Sequence, residues 1–436
     1  MATKDQVLLA ANGTTRVMNE ERSRLYRFTL RARGHSHSPW TPEGADEEYR
    51  DLARAAASNW IGLVISSTAQ GLFVDGYRRP GEGEDVAAWE IWQRNRMDAR
   101  QAPLYRAVLT HGYAYTVALP NEEGLAEITP KSGEYLWARY DAPMDEWPTL
   151  AVQVDGKDRL VYLDEDVWRL SKTGGAVIET SHGLPHPPIV RSVNHLDLLG
   201  TPMGEVEAVW PIQRRITETV FSLLMAQRFA SFRQRWVTGM APPLDENGDP
   251  REYPPPFNVG VDQLIMGESP DTKFGEFEAT DLRQYISALE AHIRHMAAIT
   301  QTPSHYLLAG TANPPSAEAM VAAEAGLQRK IHERRVVLGE SVEQLLRLCL
   351  AIEGKAGADD LMAQVRWLDT ESRSLSQVAD ALNKLAGKDG VRIPQQMLFE
   401  MIPGWTQTDV ERALRLQESE DPVAALLEML RNDNAA

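Results

Sequence analysis

Residues 281–352 read DLRQYISALEAHIRHMAAIT (281–300), QTPSHYLLAGTANPP (301–315) and SAEAMVAAEAGLQRKIHERRVVLGESVEQLLRLCLAI (316–352). In the first segment Leu282, Tyr285, Ile286, Leu289, Ile293 and Met296 recur at three- and four-residue intervals, the apolar stripe of a helix. Asp281 suits its N-cap, with Gln284 three positions on in a capping-box arrangement. Pro303, Gly310, Pro314 and Pro315 keep any helix from running through the second segment. Ser316 then restarts a helix as N-cap, and Glu318 suits the positive end of its dipole. Continued to Ile352, that helix is on the order of 50 Å long. A connection of this length between two helices tends to carry function.

The connection is also short of charge. No Lys or Arg lies between Arg294 and Arg329, and no Asp or Glu between Thr300 and Ser316, which leaves His305 as the one side chain of the loop that could carry charge near neutral pH. Tyr306, Leu307 and Leu308 form an apolar tip, and Gly310 gives it backbone freedom. Two readings follow from composition: a buried connector, or a surface that touches a partner without gripping it.

Working outward, a second long helix opens after Gly204, with Ile212, Ile216, Val220, Leu223, Phe229, Phe232 and Trp236 on one face. Arg214, Arg215, Arg228, Arg233 and Arg235 are expected on it too, and Pro211 sits in its first turn or kinks it. A proline-rich module separates the two helices, with Pro242, Pro243, Pro254, Pro255 and Pro256. Asp245, Asn247 and Asp249 mimic the start of a calcium loop, but Pro256 stands where the twelfth-position glutamate belongs, so a polar hairpin turn is the reading.

Upstream, residues 111–200 switch to a period of two. Strands are expected at 114–119, 135–140, 150–154, 159–163, 167–170, 176–179 and 190–193, with Asp155-Gly156 as a hairpin turn. Residues 1–40 read as short helical patches carrying Arg22, Arg24, Arg27, Arg31 and Arg33, either a basic arm or a solvated helix face. Helices follow from Glu47 to Trp60 and over 85–110, where Trp89 and Trp92 read as core. After Ile352 come a short strand at 365–368 and helices near 374–386, 394–402, 407–417 and 421–431.

The 436 residues suffice for two to four domains, and 43% hydrophobic with 25% charged content is that of an ordinary globular chain. The single cysteine, Cys349, excludes an intrachain disulfide and a multi-cysteine zinc site, and its leucine-rich setting marks it as core. No secretion signal and no membrane-spanning stretch is read, and the reducing cell interior is the natural compartment. A net charge of −17 argues against a surface that grips nucleic acid throughout, because phosphate binding needs clustered Lys and Arg. Phosphate-loop, nucleophile-elbow and H-E-x-x-H motifs are absent. His292 and His295 lie three apart on a helix with no third ligand at fitting spacing, and His182, His186 and His195 fall in a turn-rich segment. Nothing calls for a metal or cofactor.

Asn59-Trp60 through Val64, Gly71 through Arg78, Trp89 through Asn95, His111 through Val117 and Pro187 through Val190 appear in one order with helix, proline-rich insert, helix, loop and long helix. Taken together they resemble the portal protein family of tailed double-stranded-DNA bacteriophages, of siphophage type, over nearly the whole chain. The resemblance implies an α+β fold: a wing (1–203) of helices and mostly antiparallel sheet, stem helices (204–235 and 280–299) around a clip (236–279), a tunnel loop (300–316), a long helix with wing return (317–373) and a helical crown (374–436). It implies a dodecameric ring at one capsid vertex, a structural protein and not an enzyme, through which double-stranded DNA is packaged and ejected. The terminase large subunit and the head–tail adaptor would dock on the clip, and the major capsid and scaffolding proteins would surround a ring assembled in the host cytoplasm and kept in the virion.

Residues follow by position. His305, Tyr306, Leu307, Leu308, Ala309, Gly310, Thr311 and Asn313 would face the channel as the tunnel loop. Arg283 and Arg294 would lie on the stem, pointing into the bore or pairing with a neighbour. Asp245, Asn247, Asp249 and Tyr253 would belong to the docking face of the clip. A different phage head or neck protein, or a hydrolase with an unrecognised site, are the rival readings.

Overall fold

The computed structural model describes residues 3–231 apart from 36–37, 42, 45–46, 80–82 and 174, and then 235–238, 271, 273–276, 281–308, 316–369, 375–386 and 393–420. The chain divides into two compact units. One comprises residues 1–37, 59–213 and 293–436, the other 38–58 and 214–292.

The first unit opens with α1 (Lys4–Ala32), one unbroken helix of 29 residues where the sequence suggested patches. Thr3 and Gln6 cap it reciprocally. Val7, Ala11 and Met18 bury against a sheet, and that burial outweighs the low helix propensity of Gly13, Thr14 and Thr15. The arginines of α1 do not form a detached arm. Arg24 pairs with Glu21 at 2.8 Å, Arg31 lies 4.2 Å from the Trp210 ring centroid, and Arg22 stacks over Tyr135. In the second unit, α2 (Glu47–Ala55) stops short of the expected Trp60, which instead begins α3 (Trp60–Ala69) of the first unit, capped by Asn59.

Next come β1 (Val74–Arg79), β2 (Gly83–Glu84), α4 (Val86–Arg94) and α5 (Met97–His111). Trp92 is fully buried and Trp89 stacks on it, so the tryptophans here do pack. β3 (Tyr113–Pro120), β4 (Ala126–Ser132), β5 (Leu136–Arg139), β6 (Leu150–Asp155), β7 (Asp158–Leu163), β8 (Asp166–Leu170), β9 (Ala176–Ser181) and β10 (Ile189–Val193) follow, all pairing antiparallel. β5 to β9 form a five-stranded meander, the sheet on which α1 lies, and Gly156 turns its β6–β7 hairpin with φ +60. The order β10-β3-β4 makes a second sheet. β4 escaped the sequence pattern because Pro130 interrupts it; as an outer strand it tolerates a residue without an N–H.

A small hairpin of β11 (His195–Leu196) and β12 (Pro202–Met203) leads into α6 (Glu205–Ser231). Pro211 lies inside α6, beyond its first turn. The helix ends before Arg235 and Trp236, which were expected on it. Both instead belong to β13 (Arg235–Thr238), paired antiparallel with β14 (Lys273–Glu276). Trp236, Val237 and Thr238 are a run of residues that favour a strand over a helix end. The second unit thus has a two-stranded ribbon between its helical segments. Asp245, Asn247, Asp249 and Tyr253 lie outside the described residues.

The chain continues through α7 (Leu282–Thr300), α8 (Ser304–Leu307) and α9 (Ala317–Ile352). Ser316 caps α9, accepting a hydrogen bond from the Ala319 N–H at 3.3 Å. Leu338, Val342, Leu345, Leu346 and Cys349 bury the second half of α9, and burial pushes the Cys349 thiol far up, as expected of a core residue. Gly71 allows close packing on this helix, since a Cβ there would come within 2.5 Å of Ile331 Cδ1. β15 (Gln364–Trp367) pairs with β1, and α10 (Leu375–Ala386), α11 (Gln395–Glu400) and α12 (Gln407–Glu420) close the described chain. Glu400 pairs with Arg78 at 2.7 Å, and the Gln407 N–H donates to buried Asp75 at 2.8 Å, so α11 and α12 are tied to the β1 sheet. The expected helix at 421–431 lies outside the described residues.

Candidate functional site

The 300–316 segment is held at its start by the end of α7. Gln301 has φ +54, the left-handed conformation. The Thr302 N–H donates to Ala297 O at 3.0 Å and the Gln301 N–H to Ala298 O at 3.4 Å. This is a Schellman ending, with glutamine where glycine is usual. The Thr300 hydroxyl donates to Met296 O at 2.8 Å, which uses another carbonyl of the last turn.

The last carbonyl of that turn, Thr300 O, leads to a buried ion pair. Lys330 of α9 donates from Nζ to Thr300 O at 3.1 Å and to Glu205 Oε2 at 2.8 Å. Arg334 approaches the other Glu205 oxygen at 3.9 Å, and Asn194 donates toward it at 3.5 Å. Lys330 is 5% exposed and Glu205 8%. Helix dipoles favour both charges, because Glu205 opens α6 and Lys330 meets the C-terminal end of α7. One turn of α9 therefore fixes the first turn of α6 and the last turn of α7. Backbone closeness reinforces this point: a Cβ on Gly112, whose φ is +93, would meet Gly204 N at 2.9 Å.

Past Pro303 the loop forms the single turn of α8, which is pinned to α9 by a second carboxylate. The Tyr306 hydroxyl donates to Glu324 Oε1 at 3.2 Å, and His305 Nε2 lies 3.8 Å from the same oxygen. The two rings pack edge to face at 4.8 Å. Burial and the Glu324 charge raise the Tyr306 phenol above its ordinary range, so it stays a neutral donor. The apolar tip expected at 306–308 is divided. Tyr306 is 42% exposed and Leu308 is half-buried, but Leu307 is only 4% exposed and packs inward. The backbone reason is α8 itself, one helical turn that sends neighbouring side chains to different faces. Ala309, Gly310, Thr311 and Asn313 lie outside the described residues.

On α7 the expected apolar stripe is only partly used within the chain. Ile293 and Met296 are buried, whereas Ile286 is exposed and Leu282, Tyr285 and Leu289 are half-buried. Arg283 forms a bidentate pair with Asp281 at 3.1 Å, and its guanidinium holds that carboxyl below the usual range. Asp281 also accepts from the Arg283 N–H at 2.9 Å, the capping contact that the sequence suggested. Arg294 is exposed, with a partner of its own.

Among the described residues no group of three or more His, Cys, Asp and Glu could hold a metal ion. His186 stacks on Trp147 at 3.9 Å, and His182 accepts from the Leu184 N–H, with burial lowering its pKa to about 4. Thr29, His111 and Glu134 form a further cluster, with the Thr29 hydroxyl 2.8 Å from His111 Nε2. Burial lowers the His111 pKa to about 4 against the opposing pull of Glu134. Glu134 bonds to Thr29 and approaches Nε2, not Nδ1, so it does not orient the ring as a base for Thr29. No described helix is long and apolar enough to cross a membrane. The Glu205–Lys330 pair was not visible in the sequence; a lone lysine and a lone glutamate 125 positions apart carry no local signal.

Over residues 12–423 the chain matches the family of phage portal proteins described as SPP1 Gp6-like. The portal protein of Mycobacterium phage D29 is 27% identical over 390 residues, an alignment covering 82% of this chain and 78% of that protein. The portal protein of Mycobacterium phage L5 is 26% identical over 388 residues, with the same coverage of 82% and 78%. Among solved structures, a chain from the virion of a native gene transfer agent particle aligns with 86% of this chain and 99% of its own, at TM-score 0.45 and 13% identity.

Proposed function

The chain belongs to the SPP1 Gp6-like family of phage portal proteins, structural components of the virion, and from that premise we propose that it forms a dodecameric ring at one capsid vertex through which double-stranded DNA is packaged and ejected. The observation that carries this reading is the family match over residues 12–423, which includes the helix, ribbon, helix, loop and long helix in unbroken order. The half-used stripe of α7, with Ile286 exposed in the single chain, fits a helix that packs against neighbouring copies in a ring.

In this reading the wing is 1–203, the stem is α6 and α7, the ribbon β13–β14 is the base of the clip, and the crown is the short set of helices from α10 onward. The terminase large subunit and head–tail adaptor dock on the clip, where Asp245, Asn247, Asp249 and Tyr253 are the candidate contacts. The major capsid and scaffolding proteins surround the ring, which is assembled in the host cytoplasm. The 300–316 segment is the tunnel loop. His305, Tyr306 and Leu308 are its best candidates for touching DNA, and buried Leu307 supports them from behind.

The chemistry of the loop suits a sliding contact. With no Lys or Arg between Arg294 and Arg329, the loop makes no phosphate salt bridge that must break at each step. A ring of chains each carrying −17 disfavours stable wrapping of the duplex. The test is packaging by particles carrying Tyr306→Lys and Leu308→Lys in the full chain. Translocation slows by about tenfold at low salt and recovers as salt rises. An unchanged rate at low salt sinks the loop assignment. Negative-stain images of the purified chain without axially perforated rings sink the portal reading itself.

A further inference from the structure

The hairpin β11–β12 carries the most exposed large apolar residues of the described chain. Leu198 is 90% and Leu199 85% exposed. They are not on a loose end. Asp197 Oδ1 accepts from the Leu199 N–H at 3.0 Å and the Thr201 N–H at 2.8 Å, and the Gly200 N–H donates to Asp197 O at 2.9 Å. Gly200 has φ +83, and a Cβ there would lie 2.5 Å from Pro143, so the turn is seated against the 141–145 loop. That loop adds exposed Met144. A turn so fully hydrogen-bonded presents two leucines to water side by side, apolar surface that a partner can bury.

The same unit carries a matching hollow. A cleft of about 570 Å³ opens between α5 and β4, with Pro103, Leu104, Ala107 and Pro130 along it and Arg100 and Lys131 at its sides. Asp197 precedes the leucine tip, and Asp141 and Asp145 lie on the loop against which its Gly200 is seated. Of the cations nearby, Arg191 is held over the Tyr140 ring and on Pro143 O, and Arg139 is bonded to Thr149. The cleft side is basic by comparison, with Glu127 its one acid. The two features also attach to opposite edges of one three-stranded sheet. In the order β10-β3-β4, the hairpin continues from β10 while β4 forms the cleft wall.

We infer that the Leu198–Leu199 tip of one copy of this chain seats in the Arg100–Lys131 cleft of the next copy, as a head-to-tail contact of the ring. The inference rests on the ring assembly proposed above. A closed ring needs two different, complementary patches on each subunit, and convex apolar with acidic border against concave apolar with basic border is such a pair.

The experiment uses the full chain with Leu199→Cys and Lys131→Cys together, treated with a short bis-maleimide. The native thiol, Cys349, is buried and does not compete. The expected result is a ladder of covalent dimers, trimers and higher species up to the ring, absent when either cysteine is introduced alone. In parallel, Leu198→Asp with Leu199→Asp raises the concentration needed for half-assembly by at least about tenfold. These leucines are exposed in the single chain, so its fold is expected to persist, with an unchanged melting temperature as the control. Rings that form normally without a ladder overturn this contact, assign the tip to another partner and leave the portal reading standing. A wild-type chain that forms no rings overturns both.

Discussion

Two carboxylates grip α9 and its neighbours, and they do so in opposite ways. Glu205 meets Lys330 in the interior, where the pair also holds the Thr300 carbonyl at the close of α7. Glu324, less than two turns earlier on α9, meets Tyr306 and His305 at the edge of the loop, partly in water. The first clamp fixes where three helices converge. The second fastens a single turn that neutral hydrogen bonding can release. That division anchors the segment firmly at its base and only lightly at its tip, because buried charge is costly to unpair and exposed pairing is weak.

The comparison breaks most visibly at Lys330. Lys330→Met leaves Glu205 buried without its main partner, and chemical denaturation should report a loss of about 3–5 kcal/mol. Adding Glu205→Gln to the same chain should restore most of it, since the penalty lies in the stranded charge. Equal losses in the single and double variants would assign the effect to packing.

Elsewhere in the first unit, a buried histidine should make stability depend on pH. His111 is held neutral by burial, with a folded pKa of about 4 against about 6.5 in the unfolded chain. Its contribution is complete above pH 6.5 and is lost as pH falls toward 4, because the unfolded chain takes up the proton first. Between pH 7 and pH 5 that amounts to about 1–2 kcal/mol. The slope should flatten in His111→Gln, measured by urea unfolding at each pH.

At the outer clamp, Glu324→Gln should change stability by less than about 1 kcal/mol, since an amide oxygen still accepts from Tyr306. A loss as large as that of Lys330→Met would erase the distinction drawn here. The smallest effect is expected at Gln301. Gln301→Gly relieves the left-handed conformation and should stabilise by a few tenths to about 1 kcal/mol, seen as a small rise in melting temperature.

Much of the fold was legible in local pattern. Ser316 after two prolines announced the start of α9, and the alternation around Asp155-Gly156 announced the β6–β7 hairpin. The family resemblance, carried by the order of the pieces, was the right one. Where the pattern misled, a neighbour was responsible. α1 runs unbroken because a sheet from residues 150–176 covers Val7, Ala11 and Met18. β4 survives Pro130 because it borders its sheet, and Arg235 lies in a strand because the backbone of 273–276 pairs with it.

At the candidate site, the sequence by itself determined a loop bounded by proline, without cations and capped at its far end by Ser316, since these are properties of consecutive residues. Only the tertiary structure decided that Leu307 points inward, that Glu324 fastens Tyr306, and that Lys330 closes α7 onto Glu205. Periodicity and capping act within a few residues of chain. The pairing of two buried charges depends on which helices converge, and it leaves no trace in the spacing of either.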